Sequence, residues 1–222
     1  MLAELDPDTT TWLGPVTSFV EASMFSGRGI SYTRKGLAFV DSWGSLRNAA
    51  SMAHIAMRAA SVVDQRADAY IGFDRSSFQR SIVWAQYARC FARQQMNYIY
   101  GDAGRSFITG WGTAPPKRPH HRGAACSFVI TGESCDGDTF LDPNRVFPNQ
   151  LIAGLQGGPD QTDSFTDSQL NYVQSEVAVD YNAALITGTA GVMTMPDWFW
   201  ANVGYCERYP VAAINFNKVN YL

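Results

Sequence analysis

The run Gly36 to Val63, GLAFVDSWGSLRNAASMAHIAMRAASVV, is rich in Ala, Met and Leu and apolar on most sides. These residues favour helix, and a helix that is apolar nearly all round is buried between neighbours. The pattern predicts a long helix beginning around Lys35, with Trp43 and Gly44 interrupting its first turn. His54, alone among small apolar residues, reads as a satisfied core histidine rather than a ligand. Downstream, Asp74-Arg75-Ser76-Ser77 is a cap signal for a second helix to about Tyr100, ended by Gly101 and Gly104. Its core side carries Phe78, Ile82, Val83, Tyr87, Cys90 and Phe91. Upstream, a proline marks the way into a short amphipathic helix, Thr17 to Phe25, which the Ser26-Gly27-Arg28-Gly29 loop stops.

Farther along, a short helix is expected over Pro148 to Gln156, closed by Gly157-Gly158-Pro159. Another starts near Ser175, an acceptable N-cap, and runs to about Met193. Between Arg105 and Pro143 lies a long loop-rich stretch with PPKRPHHRG at its centre, where the prolines forbid helix. Alternating strand patterns are scarce, so the fold class is all-α, built from helix pairs with long connections at one end.

The totals narrow the function. With 222 residues the chain can bury a sizeable core, and 46% hydrophobic against 17% charged residues argues for a folded protein. A formal net charge of -3, with no long Lys or Arg cluster, gives no electrostatic footprint for nucleic acid or an anionic membrane. No apolar run is long enough to span a bilayer, and MLAELDPDTTTWLG lacks the features of a signal peptide. The cysteines Cys90, Cys126, Cys135 and Cys206 form no C-x-x-C pair; Cys126 and Cys135 could staple a loop in an oxidising compartment.

The densest chemistry lies in Ser164 to Ala183, SFTDSQLNYVQSEVAVDYNA. Asp167, Tyr172, Glu176, Asp180, Tyr181 and Asn182 recur at separations of four and five, so on a helix or its entry turn several could line one wall of a cleft. A half-buried helix with a charged wet side fits the same spacing. His120 and His121 are adjacent, so on an extended chain they point apart, and neither they nor the cysteines match a zinc spacing. Imidazole and the Arg122 guanidinium suit hydroxyl groups of a polyhydroxylated ligand.

FITGWGTAPPKRPHHRG, Phe107 to Gly123, and SFTDSQLNYVQSEVAVDYNA resemble the two signature motifs of glycoside hydrolase family nine, the endo-1,4-β-glucanases. The second matches at Phe165, Asp167, Tyr172, Glu176, Ala178, Asn182 and Ala183, the first at Ser106, Ile108, Thr109, Gly112, Pro119, His120 and Arg122. Ala114 stands where the family usually has Asn, Lys or Arg. Tyr32 to Ala50 and Leu151 to Asp167 extend the resemblance. It implies an (α/α)6 barrel, of which only the C-terminal half of the helices is present. Residues 1–195 would be that part of the catalytic domain, and 196–222 a tail without assignment.

The activity implied is inverting hydrolysis of cellulose-type β-glucans, with no cofactor and no metal, by a secreted protein that is monomeric when complete. Glu176 would be the general acid, with Asp167 and His120 in the active-site set. Arg122, Tyr172 and Trp43 would contact the sugar, Trp43 by stacking. A first-turn position for Glu176 poses a difficulty, since a helix dipole favours a charged carboxylate there while a general acid must hold its proton. The family's base lies in an Asp-Ala-Gly-Asp run that this sequence lacks; Asp102-Ala103-Gly104-Arg105 matches only three of its residues. A whole barrel needs roughly twice this length, so a partial chain, weak or inactive alone, is expected. The rival reading is a carbohydrate-binding relic of the same fold.

Overall fold

The structure, a computed structural model, describes residues 10–24, 30–67, 75–126, 140–201, 204 and 206. Helix α1 spans Thr10–Met24, and strands β1, Ser31–Tyr32, and β2, Ala38–Phe39, form an antiparallel hairpin. Helices α2, Ser45–Ala67, and α3, Arg75–Asn97, follow, and α3 runs into a π-helical turn, Tyr98–Asp102. After long connections come α4, Arg122–Ala125, α5, Tyr172–Ser175, α6, Val179–Met193, and α7, Asp197–Ala201.

The all-α reading holds. Helix α2 packs against α3 and α6 and also meets α1. Two of its faces are therefore buried: Leu46, Ala49, Ala50, Ala53, Met57 and Ala60, and beside them Met52, Ala56, Ala59, Val62 and Val63. Its many alanines let the neighbouring backbones come close. On α3, Tyr87, Cys90 and Phe91 are buried as their spacing implies, while Asp74 and the Phe78 and Ile82 side chains lie outside the described residues.

Four boundaries differ from the sequence reading, each for a local reason. Helix α1 begins at Thr10 and passes through Pro15, because buried Leu13 extends its apolar stripe ahead of the proline. Pro15 removes only one hydrogen bond, near the first turn. Phe25, the expected last residue, lies outside the described residues. Residues 36–44 are not helical: Gly36 and Gly44 have φ of 95° and 70°, and the Gln95 amide clamps the hairpin through Ala38 N, at 2.8 Å, and the Gly36 carbonyl, at 3.0 Å. The helix expected over Pro148 to Gln156 is extended and irregular instead. There Ala153 has a φ of 63°, and Leu155 and Gln156 bridge to Ile108 and Val177. Ser175 caps no helix. It ends α5, and its hydroxyl donates to the Ser168 and Asn171 carbonyls.

The segment Gly157 to Pro159 locks onto the start of α2. Leu46 N donates to the Gly157 carbonyl at 3.0 Å and Ser45 Oγ to the Pro159 carbonyl at 2.9 Å. Gly158 has a φ of 112°, and a Cβ there would stand 2.4 Å from Leu46 Cγ and 2.6 Å from Ser45 Oγ. Both neighbours are fully buried. Backbone strain and overpacking act together, so Gly158→Ala is expected to lower stability by about 3 kcal/mol. A urea midpoint unchanged from the parent protein would contradict this.

His54 is only half-buried, but its Nδ1 is buried without a hydrogen-bond partner among the described residues, so it is not the satisfied core histidine expected. Cys90 and Cys206 are joined by a disulfide, and Cys126 is also disulfide-bonded, while Cys135 lies outside the described residues.

Candidate active site

Three isolated bridges stitch the long connections together: Ile108 with Leu155, Gln156 with Val177, and His120 with Glu176. In the last, His120 N donates to the Ser175 carbonyl at 2.8 Å. Two distant parts of the chain, the proline-rich run before His120 and the segment from Tyr172 to Ala178, are thereby laid side by side. Local chemistry shapes both: Pro115, Pro116 and Pro119 cannot donate, which keeps the first part out of a helix, and in the second α5 ends at Ser175 and gives way to an extended Ala178, with φ -145° and ψ 160°.

Glu176 therefore does not lie in the first turn of a helix. Helix α6 begins at Val179, and the acidic residue in its first turn is Asp180, which pairs with Arg47 at 3.1 Å. The difficulty posed by the helix dipole does not arise. The Glu176 carboxylate is held on one side: its Oε2 accepts from Trp43 Nε1 at 2.6 Å and from the Tyr181 hydroxyl at 2.9 Å. Among the described residues nothing donates to Oε1.

Rings rise around this carboxylate. The Trp43 and Tyr172 centroids are 5.3 Å apart, those of Tyr172 and His120 5.9 Å, and those of His120 and Phe140 4.9 Å. Trp43 and Tyr172 are 45% and 48% exposed, so both rings reach the surface. His120 Nδ1 lies 2.6 Å from the Gln169 carbonyl, which can only accept. The hydrogen is therefore on Nδ1, and Nε2 carries the lone pair, with no donor to it among the described residues. Arg122 opens α4 as an exposed residue, its guanidinium 5.9 Å from the Phe140 ring centre. His121 turns the other way and caps α4 by accepting from Ala124 N.

Asp167 does not join the ring-lined group. Its Oδ2 accepts from Lys117 N at 2.8 Å and its Oδ1 from Arg118 N at 2.9 Å, so both oxygens face the loop backbone just before His120. Asn182 ties α6 to the 153–155 segment through Leu155 N and the Ala153 carbonyl. The six residues thus do not share one helical wall, because the chain breaks into α5, an extended stretch and α6.

The sequence reading counted Tyr181 among the residues of the candidate wall without a specific role, and it did not single out Arg47. Tyr181 is buried, the Arg47 guanidinium stands 5.0 Å over its ring, and burial, with help from Glu176, pushes its hydroxyl up to about 12. A raised folded pKa favours the protonated fold, so this stability is complete below the ordinary value of 10.0 and lost as pH climbs through 12. The urea midpoint should fall across that window, and by less in Tyr181→Phe. Equal losses in the two proteins would contradict the assignment. The only sequence signal for Tyr181 is its place five residues after Glu176.

The profile described as Glycosyl hydrolase family 9 matches residues 6–188. The chain belongs to this family. It is 35% identical to Endoglucanase 4 of Bacillus sp. (strain KSM-522) over 167 residues, 73% of this chain and 22% of that protein. It is 34% identical to Endoglucanase A of Bacillus pumilus over 183 residues, 82% of this chain and 24% of that one. Among solved structures, an endoglucanase from the termite Nasutitermes takasagoensis superposes with a TM-score of 0.67 at 36% identity, covering 86% of this chain and 38% of that one. Endoglucanase CelQ from Clostridium thermocellum, complexed with cellobiose and cellotriose, gives 0.59 at 29% identity, covering 88% and 28%.

Glycosyl hydrolase family 9 membership agrees with the helical architecture, which is part of an (α/α)6 barrel. The chain spans about a quarter of the length of these two bacterial relatives. Among the described residues no helix is long and apolar enough to cross a membrane.

Proposed function

We propose that this chain carries the acid half of an inverting endo-hydrolysis of 1,4-β-D-glucosidic bonds in cellulose and related glucans. One observation supports this most: Glu176 has Oε2 gripped by two donors, and Oε1 without a donor among the described residues, beside the exposed rings of Trp43 and Tyr172. A carboxyl so held presents the proton on Oε1 to the leaving glycosidic oxygen, with no competing acceptor. Trp43 and Tyr172 take pyranose faces, and His120 Nε2 and Arg122 meet hydroxyls. Asp167 acts through the loop, holding the backbone that presents His120. The base that activates water on the opposite face comes from outside these residues, so the chain alone hydrolyses slowly or not at all. The disulfide Cys90–Cys206 suits a secreted protein.

The test is hydrolysis of cello-oligosaccharides, with product anomers followed by NMR, using this chain and the protein of the full reading frame that contains it. Release of α-anomer by the latter, and negligible turnover by the chain alone, are expected. Rapid turnover by the chain alone overturns the external base, and β-anomer as first product overturns inversion. Cello-oligosaccharide binding without hydrolysis by either protein favours the binding relic.

A further inference from the structure

The run Pro115 to Pro119, which leads into His120, also forms one side of a cleft of about 490 Å³ whose other side is Asn144 to Leu151. That is within the range of roughly 300 to 1,000 Å³ usual for small-molecule sites. Among the described residues its lining includes Lys117, Arg118 and Arg145 and no carboxylate, although the chain as a whole has a net charge of -3. Two acids that meet lining residues are turned to backbone: Asp167 accepts from Lys117 N and Arg118 N, and Asp142 from Asn144 N.

Among the described residues Arg118 is fixed by neutral groups alone. Its Nε donates to Gln169 Oε1 at 2.8 Å, its Nη2 to the Pro143 carbonyl at 2.6 Å, and its guanidinium stands 5.4 Å over the Phe147 ring. The charge is thus pre-positioned without a counter-ion, and Nη1 has no acceptor among the described residues. Lys117 is exposed, and its ammonium makes no contact among them either. A rigid guanidinium with a mobile ammonium beside it suits a carboxylate. Phe147 and the prolines offer apolar faces to a sugar ring, and the Asn144 and Gln150 amides can meet hydroxyls.

We infer that this cleft is a second saccharide site, separate from Glu176, that takes a sugar unit bearing a carboxylate. The inference goes beyond the hydrolytic reading and does not depend on it.

Titration of the intact protein with sodium glucuronate, glucose and sodium acetate, followed calorimetrically, tests it. Glucuronate should bind at least tenfold more tightly than either control and weaken as salt rises from about 50 to about 500 mM. Lys117→Glu, at a side chain that holds nothing in place, should weaken glucuronate at least tenfold without moving the thermal midpoint, and Glu176→Gln should leave it unchanged. Glucose binding as tightly as glucuronate overturns the role of the carboxylate. Acetate binding as tightly overturns the sugar, and an unaffected Lys117→Glu protein overturns the location. Loss of glucuronate binding in Glu176→Gln would mean a single site around the acid.

Discussion

Glu176→Gln is expected to lower kcat on cello-oligosaccharides by about 10² to 10⁴-fold in the protein of the full reading frame, the range for loss of a positioned general acid. KM should change little. The substitution isolates the proton, because the amide oxygen of Gln can still accept from Trp43 Nε1 and the Tyr181 hydroxyl, at the places where Glu176 Oε2 now accepts at 2.6 and 2.9 Å. What disappears is a proton able to leave with the glycosidic oxygen. Tyr181→Phe should be milder, since Trp43 still holds the carboxylate. Asp167→Ala should act differently again. It removes the acceptor of the Lys117 and Arg118 amides, at a cost of about 1 kcal/mol each because water can reach them, and so loosens the loop before it touches chemistry. A lower melting temperature and a raised KM are the signature of that role. Unchanged kcat in Glu176→Gln would end its assignment as proton donor.

The largest effect on stability is expected at Cys90–Cys206. This bond joins buried residues of α3 and the segment after α7 across a sequence separation of 116. Closing a loop of that length restricts the unfolded chain by about 4 to 5 kcal/mol on the chain-entropy estimate. Cys206→Ser should therefore lower the urea-derived unfolding free energy by most of that amount. It should also loosen α7, whose Phe199 packs into the same core. A loss below about 1 kcal/mol would show that the packing of Phe199 and its neighbours, and not the cross-link, secures this end of the chain.

The helices were legible wherever an apolar pattern ran long. Alanine-rich α2 and the Tyr87, Cys90, Phe91 side of α3 follow directly from composition and spacing, because helix propensity and burial there favour the same conformation. Gly101, with a φ of 149°, breaks the π-helical turn that follows α3, so the helical run ends close to where the glycines predicted, although α3 itself stops at Asn97. The reading failed where glycine, proline or a side-chain amide overrides propensity over short distances. At 36–44 the positive φ of two glycines and the Gln95 clamp make a hairpin, and at 148–156 pairing with a segment more than forty residues earlier removes a helix. Long-range pairs of this kind leave no periodic trace.

The same division runs through the site. The sequence by itself determined the family, the helical class and which residues to inspect, since Tyr172, Glu176, His120 and Arg122 stand in recognisable order. Only the tertiary structure decided how they are used: Glu176 lies outside the helix rather than in its first turn, Asp167 faces backbone, and Tyr181 with Trp43 holds one oxygen of the acid. The reason is that a side chain's partners depend on segments brought together by burial and backbone pairing. Trp43 reaches Glu176 across 133 positions of chain, a contact that no local pattern encodes.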